Sequence, residues 1–369
     1  MLKAHPQLCM QLTLVPVAAT AWAWSSSPPP PSTTAAALFS ALDVAADQSE
    51  QIGAGKQLSF RHVTEYGDPF WLAVGPTGPA QKTKHQAALP AGGINNKLYE
   101  SGHFHEHQEA LLVHRILESQ CNLKSGTPPR LVDVGANSGF FTLLGAAHGC
   151  SVTSVEPNRV WASLVRMSIE VNGFGSRVSL HNAVCTNESS VVFNGWEVTR
   201  NLAQSWQNKI KMRKWAVPSG SVRLDDILPL DQPIAYLKID TQGHEGSVLS
   251  SAQRVLLSGR IRYLFLEVTF MFMGQPIFEK ALPHIRLLAE RKGYKFFLPP
   301  LSPLMTGRNV TSNAKVWAGA QYRNLQYTAL PSGNKLIRWI LHTASRISKS
   351  ANVFADLIAV HPESPWPPP

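Results

Sequence analysis

The chain has 369 residues, 44% hydrophobic and 16% charged, enough to bury one large core with appendages, which excludes a chain disordered throughout. Its formal net charge of +10 is spread along the chain and reads as a soluble basic surface rather than a nucleic-acid footprint. Four cysteines, Cys9, Cys121, Cys150 and Cys185, leave room for one bridged pair but write neither a disulfide framework nor a C-x-x-C zinc motif.

Residues 1–24 open with Lys3 and His5 and run apolar from Leu8 to Trp24, with Ala21-Trp22-Ala23 as a small-x-small cleavage site. This reads as a secretory signal peptide; an uncleaved anchor and an organelle transit peptide are the alternatives. Gln11 and Pro16 weaken the anchor, and the scarcity of Arg weakens the transit peptide. The sequons at Asn187 and Asn309 agree with entry into the secretory route. Residues 25–94 form a linker and variable region: a stiff stretch from Pro28 to Ser32, a short helix over Thr34 to Gln48, and a strand at Phe70 to Val74.

The core domain is expected over residues 95–331. It is entered by a helix over Ser101 to Leu117 that turns Leu111, Leu112, Ile116 and Leu117 inward. His103, His107 and His114 fall near one face of that helix, but no acid or cysteine completes a metal set, and no metal is expected. Next comes LVDVGANSGFF, Leu131 to Phe141: an apolar strand, a turn on Gly135 and Gly139, and a helix from Phe140 to His148. The glycines let backbone approach a ligand, and the free N–H groups opening the helix favour an anionic group. The turn reads Gly135, Ala136, Asn137, Ser138, Gly139 rather than G-x-G-x-x-G, and Asp133 lies inside the strand. A pyrophosphate is repelled by that carboxylate, whereas the sulfonium and ammonium of S-adenosylmethionine are attracted to it. VTSVEPN, Val152 to Asn158, is a second strand ending in Glu156, placed to accept both ribose hydroxyls.

A helix follows over Arg159 to Val171, then a third strand, RVSLHNAV, Arg177 to Val184. Its Asn182 either pairs with the adenine edge or simply ends a strand in a turn. WQNKIKMRKW, Trp206 to Trp215, interleaves four cations with two tryptophans and reads as a solvated hairpin face, with a nucleic-acid or sugar platform as the rival. YLKID, Tyr236 to Asp240, is a buried strand, TQGHEGSVL turns into a helix over Glu245 to Leu257, and IRYLFLEV, Ile261 to Val268, is the neighbouring parallel strand. Asp240 and Glu267 therefore share the carboxyl edge, where open α/β sheets bind ligands. A helix over Ile277 to Arg291, a strand at Tyr294 to Leu298 and a last strand at Asn324 to Leu330 complete the domain. Residues 332–369 are read as a basic amphipathic helix, Asn334 to Lys349, and a disordered Pro-rich tail.

LVDVGANSGFFTL, SVEPN, VRLDDIL, YLKIDTQGHEGSVL and LFLEV, in this order, resemble the successive motifs of the FkbM-type methyltransferase family. The resemblance implies an α/β doubly wound (Rossmann-like) class I methyltransferase fold with a seven-stranded, mostly parallel sheet flanked by helices. It also implies S-adenosyl-L-methionine as cofactor, with Asp133, Gly135, Ala136, Asn137, Gly139, Phe140, Glu156 and Asn182 as the candidate binding residues. Asp240 and His244 are the candidates for orienting and deprotonating an acceptor hydroxyl. The expected partner is a glycan or small-molecule acceptor, with membrane-surface contact through the N-terminal segment or C-terminal helix as a secondary expectation. A nucleic-acid methyltransferase and a non-catalytic protein retaining the fold are the competing readings. The oligomeric state and the acceptor are not written in the sequence.

Overall fold

The computed structural model describes residues 59–74, 104, 106–121, 126–188, 191–193, 217–272, 275–276, 278–299, 327–345 and 353–368. The N-terminal segment of 1–24, the helix expected over Thr34 to Gln48, His103, the Trp206 to Trp215 run and the Asn309 sequon lie outside them. The strands are β1 (Ser59–Val63), β2 (Phe70–Val74), β3 (Arg130–Val134), β4 (Ser151–Val155), β5 (Val178–His181), β6 (Ala183–Cys185), β7 (Val191–Phe193), β8 (Val217–Val222), β9 (Ile234–Ile239), β10 (Ile261–Phe272), β11 (Gln275–Pro276), β12 (Lys295–Leu298), β13 (Thr328–Ala329) and β14 (Val353–Val360). The α-helices are α1 (His107–Cys121), α2 (Phe140–Ala147), α3 (Arg159–Val171), α4 (Leu224–Ile227), α5 (Glu245–Ser250), α6 (Gln253–Leu257), α7 (Leu282–Arg286) and α8 (Asn334–Ser345).

The main sheet runs β13-β12-β14-β10-β9-β3-β4-β5, with β11 paired to the far end of β10. Of its nine strands, β11 and β13 are two residues long. The sheet therefore has two strands more than the seven expected. β5, β4, β3, β9 and β10 pair in parallel, whereas β14 is antiparallel to both β10 and β12. Strand order reverses between β3 and β9, and the crevice at that switch point, beyond the carboxyl ends of the strands, is where such sheets take ligands.

The two faces bury different helices. Leu131, Tyr236, Tyr263, Phe265 and Ile358 join the residues of α1, α2 and the β1–β2 hairpin in one apolar cluster. Val132, Val134, Leu237, Ile239, Leu264, Leu266 and Leu357 join α5, α6, α7 and α8 in the other. This is the period-two alternation of a sheet covered on both sides. A Cys121–Cys150 disulfide ties the end of α1 to the residue before β4.

Several sequence expectations are corrected. The Pro-rich end expected to be disordered, from Glu363, is placed through residue 368, where Trp366 stacks on Phe297 with centroids 4.5 Å apart; ahead of it an unexpected strand, β14, is inserted between β10 and β12. The last strand of the chain is thus β14, not the Asn324 to Leu330 segment. The helix expected over Glu245 to Leu257 is broken into α5 and α6, because Asp225 accepts from the Arg254 and Val255 N–H groups (both 3.1 Å) and starts a new helix there. Likewise Ile277 to Arg291 divides into a 3-10 turn, α7 and a π-turn. The third strand splits at Asn182 into β5 and β6, which belong to different sheets. In α8 Leu336, Ile337 and Ile340 are buried in the core and Ala344 packs against it, whereas Leu341 is exposed. Among the described residues no helix is long and apolar enough to cross a membrane.

Candidate functional site

Two turns meet at the switch point. The first leaves β3 and enters α2. Gly135 has φ +85°, and its N–H and that of Ala136 donate to the Val155 carbonyl at 2.9 and 3.2 Å. A Cβ on Gly135 would stand 1.9 Å from the Asp240 carbonyl oxygen, so only glycine lets the two turns approach. Gly139, φ +80°, is also close-packed: a Cβ there would stand 2.7 Å from a methyl of Val165 on α3. Between them Asn137 takes a left-handed φ of +52°. Its N–H donates to Glu156 Oε2 at 2.7 Å, while Glu156 Oε1 accepts from the Asn158 N–H at 2.8 Å. Glu156 is thereby fixed at the end of β4, and each oxygen keeps a lone pair. Burial pushes its carboxyl up to about 8, against the pull of those two N–H donors.

Asp133, 1% exposed, accepts from Thr142 Oγ1 at 2.7 Å through Oδ2, while its Oδ1 has no protein partner. Burial raises its pKa, opposed by the Lys238 ammonium. The Asn137 Oδ1 is also buried and unpartnered. Phe140 opens α2 and stacks on Phe104 at 3.6 Å between centroids. Asn182 is exposed; its Nδ2 donates to the Glu156 and Pro157 carbonyls at 2.8 and 3.1 Å, which fixes the loop behind Glu156.

The second turn leaves β9. Lys238, buried in that strand, donates from Nζ to Asp240 Oδ2 at 2.8 Å. Gln242, at φ +53°, donates from Nε2 to Asp240 Oδ1 at 3.0 Å and to Glu267 Oε2 at 2.6 Å. Glu245 Oε1 accepts from the Gly243 N–H at 2.7 Å and pins the turn. Burial would raise Asp240, but the Lys238 ammonium and the hydrogen bonds outweigh it and hold the carboxyl at about 2. Burial first, then the Asp240 charge, push the Glu267 carboxyl well up. Lys238 would lose its charge by burial, but Asp240 and Glu109 hold its pKa well above the usual value. His244 starts α5 with its Nε2 buried and unpartnered, and burial lowers its pKa.

The structure therefore brings Asp133, Gly135, Ala136, Asn137, Gly139, Glu156 and Asp240 to one crevice. Asn182 stands behind Glu156 and fastens backbone. His244 is not tied to Asp240 through Nε2. Sequence reasoning passed over Lys238, Gln242 and Asp356. A lysine within the apolar strand YLKID was the available sign for the first, since a buried ammonium needs a carboxylate close by. Among the described residues no group of three or more His, Cys, Asp or Glu could hold a metal ion. His114 instead hydrogen-bonds His148, Nδ1 to Nε2, at 3.1 Å.

Residues 133–296 match the family model described as Methyltransferase FkbM domain. No curated protein sequence matches the chain. Similar solved structures include precorrin-6y C5,15-methyltransferase from Geobacter metallireducens, at 11% identity and TM-score 0.29, covering 68% of this chain and 87% of that one. An O-methyltransferase from Bacillus cereus in complex with SAH has 11% identity and TM-score 0.29, covering 76% and 93%. The O-methyltransferase TomG from Streptomyces achromogenes has 12% identity and TM-score 0.28, covering 75% and 82%.

Proposed function

With residues 133–296 belonging to the FkbM methyltransferase domain family as the premise, we propose that the protein is an S-adenosylmethionine-dependent O-methyltransferase acting on a hydroxyl of a glycan or small molecule. The observation that carries the cofactor reading is the unpartnered, buried Asp133 Oδ1 beside the Gly135–Gly139 turn. A buried carboxylate oxygen without a partner is costly, and a cationic ligand relieves that cost. Glu156 fits the ribose diol: its backbone bonds fix the carboxylate, and each oxygen can accept one hydroxyl. Two hydroxyl donors would also draw its raised pKa downward. When bound, the cofactor supplies an electrophilic methyl group.

The chain's own residues then have separable tasks. Asp240 stays ionised and is held by Lys238 and Gln242, which suits it to orient the acceptor hydroxyl in line. A carboxylate at about 2 is a weak proton acceptor. His244, kept neutral by burial and with Nε2 free of protein partners, is the better group to take the acceptor proton. The ionised Asp240 is paired with Lys238 and neutralises it, which supports a neutral acceptor and disfavours a phosphate backbone.

A secretory location is part of this reading. The Cys121–Cys150 bridge is of the kind that persists in oxidising compartments, and the Asn187 sequon is exposed. N-terminal sequencing of the natural protein tests it: a mature start soon after Ala23 supports secretion, and a start far beyond it supports organelle import. The reaction is tested by incubating the purified protein and methyl-labelled cofactor with glycan, lipid, small-molecule and RNA fractions. Label in the glycan or small-molecule fraction is expected, and label in RNA alone would overturn the reading.

A further inference from the structure

The charged edge of the sheet extends one strand beyond the motifs that define the domain. On the α1–α2 face, apolar residues give way to ionisable ones at the carboxyl edge: Asp133 follows Leu131, Lys238 and Asp240 follow Tyr236, and Glu267 follows Phe265. β14 continues this pattern, because Asp356 pairs directly opposite Glu267 and lies two residues from the buried Ile358. Gly135 and Asp240 follow the paired Val134 and Ile239, and Asp240 and Glu267 follow the paired Ile239 and Leu266. Gly135, Asp240, Glu267 and Asp356 therefore occupy one level across β3, β9, β10 and β14, on one face, with about 4.8 Å between neighbours.

Resting on the methyltransferase reading above, we propose that Asp356, with Glu267, is an acceptor-recognition residue that selects a neutral, hydroxyl-rich molecule over an anionic one. The cofactor turn is at one end of the row, Asp240 is next to it, and Glu267 and Asp356 lie outward, where the part of the acceptor remote from the methyl group would reach. Carboxyl groups at strand spacing match the hydroxyls of a sugar-sized molecule, each accepting or, where protonated, donating a hydrogen bond. The ionised Asp240 carboxylate, joined by Asp356 as it ionises above about pH 7, disfavours a carboxylate or phosphate on the same molecule.

A purely structural Asp356 is a poor alternative. A buried acid in a sheet is destabilising without a cationic partner, and the cation here, Lys238, is bonded to Asp240. Among the described residues, the other charged groups facing Asp356 are Glu106 and Glu109 by α1, Asp240 on β9 and Glu267 on β10, all acids. Burial first, then Glu106 and Asp240, push its carboxyl up to about 7. The row is half-buried, not sealed, at Asp240, Glu267 and Asp356. Asp133 Oδ1, the unpartnered oxygen that the cofactor reading uses, lies on the same face one pleat back from this level, so the row continues outward from the cofactor side.

The test uses the full chain saturated with S-adenosylhomocysteine and reads binding by saturation-transfer NMR. The probes are neutral methyl glycosides, one of them methyl glucoside, together with methyl glucuronide, which differs from methyl glucoside by one carboxylate. The wild type is expected to bind at least one neutral glycoside and to prefer methyl glucoside over methyl glucuronide by about 10-fold or more. Asp356→Asn should shrink that preference by most of its size and raise the KM of the acceptor taken from the labelled fraction about 10-fold. Its kcat should stay within about 3-fold of wild type, and its affinity for S-adenosylhomocysteine should be unchanged. Should Asp356→Asn fail to fold, Asp356→Glu keeps the charge, reaches one methylene further into the acceptor space, and is expected to raise KM in the same way. Equal binding of glucoside and glucuronide by the wild type, no binding of any neutral glycoside, or an unchanged preference in the variant each overturns the assignment. Those results leave the methyltransferase reading to stand or fall on S-adenosylhomocysteine calorimetry and label transfer alone.

Discussion

The two faces of the main sheet begin alike and end differently. On the face covered by α5 to α8, Val132 and Val134, Leu237 and Ile239, and Leu264 and Leu266 carry apolar burial to the strand ends. On the face covered by α1 and α2, Leu131 is followed by Asp133, Tyr236 by Lys238 and Asp240, and Phe265 by Glu267. Both faces obey the same alternation, so the difference is not one of secondary structure. Apolar side chains in those positions would be more stable, because a buried ion pair seldom outdoes well-packed hydrocarbon. Where a fold retains the less stable choice at one edge only, that edge is where chemistry is to be sought.

The contrast is sharpest if each face fails in its own way when damaged. Leu237→Ala, on the apolar face and fully buried, should cost about 2–5 kcal/mol of stability in denaturant unfolding, while the folded fraction keeps its turnover. Loss of turnover per folded molecule would erase the distinction between the faces. Asp240→Asn should do the reverse: turnover about 100-fold lower, near 2.7 kcal/mol in the barrier, with affinity for S-adenosylhomocysteine little changed. If binding collapses and turnover at saturating cofactor survives, Asp240 belongs to the cofactor and not to the acceptor.

Glu156→Ala removes the acceptor of the Asn137 and Asn158 N–H groups together with the proposed ribose contact. Calorimetry with S-adenosylhomocysteine should show a loss of about 1.5–3 kcal/mol. A further effect is on pH dependence. Glu156 at about 8, and Glu245 and Asp356 at about 7, all lie above their unfolded values near 4. Raised carboxyls contribute stability that is complete below about pH 4 and is lost as pH rises through about 7 to 8. Asp240, at about 2, acts in the opposite sense only below about pH 4. The Tm should therefore be higher near pH 5 than near pH 8.5 without ligand, and S-adenosylhomocysteine should stabilise more at the higher pH, where Glu156 is ready to ionise.

Much of this site was legible in the sequence because its signals are local. Gly135 and Gly139 announce a turn with positive φ, Asp133 sits in an apolar strand, and Glu156 ends the next one. The breaks were illegible because their causes come from afar. α6 begins where it does because Asp225, 29 residues upstream of Arg254, caps it. Asp356 was hidden by the Pro-rich run that follows it. VFADLIAV nevertheless carries strand-forming residues, and its Asp356, Ile358 and Val360 alternate onto one side. Its partners, β10 and β12, are distant in sequence, so no short window discloses the pairing.

The insertion of β14 between β10 and β12 also bears on how the chain is made. Until Val353 to Val360 has left the ribosome, β10 and β12 have no partner between them, and each offers an open edge to other nascent chains. A premature stop ahead of Val353 would yield a product that contains every cofactor motif yet cannot close its sheet. Such a product should accumulate as aggregate or be degraded, so a stop ahead of Val353 would behave as full loss of function.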